Sequence, residues 1–138
     1  MSEQNFIDNT DMWFVGGRKV IPFGYGYADL LRNQKFCTTV RLIREKSYIY
    51  EQGEEVLLRA GRYPFCVDAV ATIIDSYLIY IKDLSVDDLV ASAPDTLTPE
   101  ALRCVLGNIA KHEIPWEAEV QVVHFSYLSP KKAEIENG

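Results

Sequence analysis

The segment Asn33-Gln34-Lys35-Phe36-Cys37-Thr38-Thr39-Val40-Arg41 gathers the side chains best suited to hold or attack a polar ligand. It carries a lysine, two adjacent hydroxyls and an arginine. Side chains alternate across an extended chain, so Thr39 and Arg41 share one face while Thr38 and Val40 share the other. Lys35, in the turn before the strand, can converge on the Thr39 and Arg41 face. Ammonium, hydroxyl and guanidinium together suit an anionic or carbonyl-bearing group, held by charge-assisted hydrogen bonds. Ordinary β-forming threonines beside solvated cations would give the same pattern, so residue types alone leave both readings open.

Other chemistries find less support. The only histidines are His112 and His124. Cys37, Cys66 and Cys104 are widely spaced and form no C-x-x-C pair, which argues against a zinc site and against a disulfide framework. The expectation is a chain with no metal or cofactor, in a reducing cytoplasm. Gly16-Gly17 and Gly24-Tyr25-Gly26 read as tight turns and lack the spacing of a phosphate loop. The formal net charge is −6, so any nucleic-acid site must be a local patch and not the bulk field. Basic residues cluster between Arg18 and Arg62, whereas acids concentrate between Asp83 and Glu119. Arg62, followed by Tyr63 and Phe65, offers a cation beside aromatic rings, the combination on which unpaired bases stack. The candidate ligand-binding set is therefore Lys35, Thr39, Arg41, Arg62 and Tyr63.

These residues must be positioned by one domain, since 138 residues is an ordinary single-domain length. Residues 1–11 and 129–138 read as polar ends around a domain at 12–128. The apolar-rich stretch Phe65 to Ile81 is broken by Asp68, Thr72, Asp75 and Ser76, so no membrane span is expected. Strands are predicted at Trp13 to Val15, Lys19 to Phe23, Cys37 to Ile43, Glu55 to Ala60 and Glu119 to Leu128. Pro22 restricts its strand to an edge or an end, and Gly61 is expected to close the fourth strand. Phe65 to Ile81 reads as one bent strand or two. Tyr25 to Asn33 suits a short helix with Asn33 as a left-handed cap. Ser85 to Asp88 resembles a capping box. Thr98-Pro99-Glu100 starts a longer helix whose Leu102, Val105, Leu106 and Ile109 fall on one face. Long crossover helices between successive strands are missing. The predicted class is α+β: a small, curved, mostly antiparallel β-barrel with helices packed at one end.

The runs Tyr27-Ala28-Asp29-Leu30-Leu31, Asn33-Gln34-Lys35 and Thr39-Val40-Arg41 together resemble the opening of the ASCH domain, a family of the PUA-like superfamily. Tyr50 to Val56, Lys82 to Asp88, Thr98 to Ile109, Trp116 and Val120 to Phe125 resemble its later motifs, in order. The resemblance implies binding of RNA or a modified nucleoside in a cationic cleft. One branch is similar to an N4-acetylcytidine amidohydrolase. There Lys35 would match the catalytic lysine and Thr39 the catalytic threonine, the lysine serving as base for a hydroxyl attack. The sequence departs from the pattern in three places. Asn33 stands at the family glycine. One extra residue separates Lys35 from Arg41, so either the strand bulges or Phe36 holds the lysine position. No glutamate falls near Ala91 to Ala93, where Asp95 or Glu100 would have to substitute. A further alternative is a protein-interaction module that uses the acidic surface.

Overall fold

The structure, a computed structural model, describes residues 14–43 and 49–128. The expectations for Trp13 and for both polar ends fall outside them. β1 (Phe14–Val15) and β2 (Arg18–Phe23) lead through a 3-10 turn (Tyr25–Tyr27) into α1 (Ala28–Arg32). β3 (Thr38–Leu42), β4 (Glu55–Arg62) and β5 (Phe65–Tyr80) follow. Three further 3-10 turns, Ile81–Asp83, Val86–Leu89 and Pro94–Thr96, precede α2 (Pro99–Ala110) and the last strand, β6 (Glu119–Tyr127). All strands belong to one sheet in the order β1-β2-β4-β5-β6-β3. The β2–β4 pair is parallel and the others are antiparallel.

The sheet is open, which corrects the barrel expectation. β3 pairs with β6, β2 pairs with β1 and β4, and β2 and β3 do not pair with each other. Side chains span the seam between them. The Tyr50 hydroxyl donates to the Val20 carbonyl at 2.9 Å, and Arg41 Nη2 donates to the Pro22 carbonyl at 2.5 Å. Pro22 gives the physical reason. A strand residue points its N–H and C=O the same way, so Pro22 turns its carbonyl and its missing N–H toward the seam. A strand seeking to close the barrel there would find no donor.

Alternation along the strands separates two cores. Ile21, Leu31, Phe36, Leu58, Ile73, Val123 and Phe125 fill one face of the sheet. Val40, Leu89, Leu102, Leu106, Ile114, Val120 and Val122 pack under α2 on the other. Gln121 shares the face of Val123 and Phe125 and is fully buried, with Oε1 accepting from the Tyr50 N–H at 2.6 Å and the Ser76 hydroxyl at 3.2 Å. Its burial is tolerable because those donors replace water.

Several local expectations hold with adjustments. β5 is a single strand whose register shifts between Ile73 and Asp75, and such a bulge bends and twists a strand. Thr98 Oγ1 accepts from the Ala101 N–H at 3.1 Å and Pro99 takes the first turn, so α2 starts where its signals place it. Asn33 keeps φ −95°, and Gln34 adopts the left-handed conformation at φ 54° instead. Gly61 does not close β4, because the ladder continues through Gly61↔Cys66 and Arg62↔Phe65. A glycine is needed there for another reason. At φ +94° a Cβ would lie 2.8 Å from both the Phe65 carbonyl oxygen and the Tyr25 ring.

Candidate functional site

A cavity of about 480 Å³ lies along the seam. Pro22, Phe23 and Tyr27 wall one side, β3 runs through the middle, and Ser92, Thr96 and the apolar stripe of α2 from Leu102 to Ile109 complete it. Most of the lining is apolar, and it joins the edges of the two cores. Phe23 and Phe36 meet edge to face with centroids 5.2 Å apart, and Tyr27 tilts against Phe23 at 5.9 Å. These rings make a stiff aromatic wall.

Arg41 is the cation in this cavity. Its guanidinium lies 4.5 Å from the centre of the Phe23 ring. Nη2 reaches the Pro22 carbonyl, but Nε is buried with no hydrogen-bond partner. Among the described residues no carboxylate pairs with it. Burial pushes its pKa down from 12.5 to about 10, against a smaller opposing pull from the Tyr50 and Tyr27 oxygens. An unmatched buried donor on a cation is costly, and a ligand acceptor would relieve that cost.

The hydroxyls of the site differ in how fully they are engaged. The Tyr27 hydroxyl donates to Asp95 at 2.8 Å, and burial, then Asp95, pushes its pKa up to about 12. Ser92 and Thr96 hydroxyls bond each other at 2.6 Å, and Thr96 also reaches the Ala93 carbonyl at 3.1 Å. Thr38 Oγ1 donates to the Val90 carbonyl at 2.8 Å and lies 2.8 Å from His124 Nδ1. His124 Nε2 lies 3.3 Å from the Tyr77 hydroxyl, which donates to Asp88 at 2.7 Å. Thr39 is nearly buried in the cavity wall, and its hydroxyl makes no hydrogen bond to another described residue.

The sequence-predicted residues therefore separate. Thr39 and Arg41 share the cavity, as strand alternation requires. Lys35 is exposed on the turn after Gln34, where its N–H closes onto the Leu30 carbonyl at 2.8 Å, and it does not line the cavity. Phe36 holds the inward position at 1% exposure. Arg62 and Tyr63 lie at the tip of the β4–β5 hairpin beside Phe65, which is 82% exposed. Tyr25 packs against Gly61 at that tip, while Tyr27 lines the cavity, so one 3-10 turn links the two places. Arg59, near the tip, is forked onto Asp68 at 2.8 Å through both Nε and Nη2.

Sequence reasoning missed the Asp88–Tyr77–His124–Thr38 chain, although the Ser85–Asp88 capping box that anchors it was legible. It also missed the contribution of Ser92, Thr96 and Tyr27, which only the tertiary fold brings together. Among the described residues no group of three His, Cys, Asp or Glu side chains could hold a metal ion, and no helix is long and apolar enough to cross a membrane. Cys37, Cys66 and Cys104 are free thiols.

No protein-family model and no curated protein matches the chain. Solved structures do resemble it. An ASCH domain from Lactobacillus crispatus JV V101 superposes with a TM-score of 0.54 at 14% identity, covering 72% of this chain and 69% of that one. A DUF984 protein from Enterococcus faecalis V583 superposes with a TM-score of 0.59 at 16% identity, covering 91% and 88%. At such identities the likeness establishes the fold alone: the chain has an ASCH-like fold.

Proposed function

We propose that this protein binds single-stranded RNA or a modified nucleoside by drawing one base into the seam cavity beside Arg41. The carrying observation is the buried Arg41 guanidinium with an unmatched Nε in an aromatic-lined, mostly apolar cavity. A volume of about 480 Å³ falls in the range of small-ligand sites, roughly 300–1,000 Å³. A base would meet rings on which to stack and a cation to take a carbonyl oxygen. Flanking nucleotides would reach the hairpin tip, where Tyr25, Tyr63 and Phe65 are exposed and Arg62 supplies charge.

Thr39 supports a second reading, an amidohydrolase acting on N4-acylated cytidine-type nucleosides, because its hydroxyl stands unengaged in the same cavity. A base would be needed to activate it. Lys35 lies outside the lining, and Asp95 is engaged by Tyr27. Binding is therefore the better-supported function. Titration with nucleosides and short RNAs tests it: binding that survives Arg41→Met undiminished would remove the site. Incubation with N4-acetylcytidine tests the alternative. Cytidine release that Thr39→Ala abolishes would establish hydrolysis, and absence of release would exclude it for that substrate.

A further inference from the structure

The edge of β3 facing the cavity carries main-chain groups that no other part of the described chain satisfies. The Cys37 carbonyl accepts from the Phe125 N–H and the Ile43 N–H donates to Glu119. Alternate residues of β3 therefore turn their main-chain groups toward β6, and Thr38, Val40 and Leu42 turn theirs the other way. Thr38 is met on that side, where its N–H donates to the Ala91 carbonyl at 3.2 Å and it forms a parallel bridge with Ser92. The bridging segment then turns away into the Pro94–Thr96 turn. One step further along the edge is Val40, which is 7% exposed and lines the cavity. Its N–H and C=O make no hydrogen bond to another described residue.

Buried main-chain donors and acceptors are almost always paired, with protein, water or ligand. The unmatched Val40 N–H and C=O pair thus lies in the wall of the cavity that Arg41 also lines, with Arg41 Nε buried and unmatched behind that wall. Resting on the binding reading above, we infer that the Val40 main chain reads the Watson–Crick edge of an unpaired base in the cavity. The Val40 N–H meets a ring nitrogen or carbonyl acceptor, and its C=O meets the neighbouring N–H. Such a base lies edge-on to β3, continuing the plane of the sheet. One of its faces turns toward Phe23 and Tyr27 and the other toward Leu102 and Leu106 on α2. Because the strand edge offers one donor beside one acceptor, it selects for an intact edge and against one blocked by methylation.

Two measurements on the full chain test this. In the free protein, amide hydrogen exchange at Val40 is expected to be faster than at Thr39 and Arg41, whose N–H groups face β6. Exchange at Val40 as slow as at its neighbours would overturn the assignment of an open edge. Calorimetric titration with uridine and with 3-methyluridine then reads the specificity. The 3-methyl compound is expected to bind about tenfold more weakly or worse, the loss that follows when a buried donor–acceptor pair goes unmatched. Equal binding of both would overturn edge reading while leaving the cavity as the binding site. Binding of neither would remove the nucleoside reading and the edge inference together.

Discussion

The Arg41 guanidinium stands over the Phe23 ring at 4.5 Å with no carboxylate beside it among the described residues. Cation–π attraction contributes about 0.5–2 kcal/mol. Desolvating an ion costs several kcal/mol, so the ring alone does not offset the burial. Arg41 is thus better suited to a ligand than to stability. Arg41→Met, which keeps length and removes charge, is expected to leave the Tm unchanged or raise it, while nucleoside affinity falls about tenfold or more. Thermal unfolding and titration of the same variant check this. A Tm lowered by several degrees with affinity intact would mark Arg41 as structural.

Asp88 ties the Val86–Leu89 turn to β5 and, through Tyr77 and His124, to Thr38. Burial alone would raise its pKa, but hydrogen bonds from Ser85 and Tyr77 outweigh burial and hold it below the usual carboxylate value. A carboxylate with a depressed folded pKa stabilises the fold above its unfolded value, about 3.9. That contribution is lost as pH falls through the folded value. Asp88→Asn is expected to cost about 1 kcal/mol at pH 7 and to flatten the loss of stability below about pH 4. Urea denaturation across that pH range measures it. Parallel profiles for the two proteins would contradict the account.

Gly61→Ala places a Cβ 2.8 Å from the Phe65 carbonyl and the Tyr25 ring at φ +94°. The expected destabilisation is about 1–3 kcal/mol, with the hairpin tip displaced. Affinity for short RNA should fall while affinity for a single nucleoside holds. Equal losses for both ligands would separate the tip from any role of its own.

Phe65→Ala isolates the tip without strain, because the side chain is 82% exposed. Stability is expected to change by less than about 0.5 kcal/mol. RNA binding should weaken by about 1–3 kcal/mol if one base stacks there. Unchanged RNA affinity would assign the whole interaction to the cavity.

The sequence carried α2 almost completely, since Thr98 and Pro99 act locally and its apolar period is intrinsic to the helix. It also carried the shared face of Thr39 and Arg41, which alternation alone dictates. It did not carry the position of Lys35. One residue of spacing decides whether Lys35 or Phe36 turns inward, and hydrophobic burial favours the phenylalanine. Nor was the separation of Arg62 and Tyr63 from Arg41 legible, because it depends on the β4–β5 ladder running past Gly61. The cavity itself joins Pro22, Arg41, Ser92 and Leu106, and strand order, a long-range property, brings them together. The missing barrel closure follows from Pro22, whose edge preference was visible although its consequence for the seam was not.

Binding in the seam cavity around Arg41 is the proposal on which the other predictions depend. Backbone amide shifts recorded during titration with uridine test it most directly. Saturable changes are expected at Tyr27, Val40, Arg41 and Ser92, lost in Arg41→Met. Changes confined to Arg62, Tyr63 and Phe65, or no changes at saturating nucleoside, would contradict it.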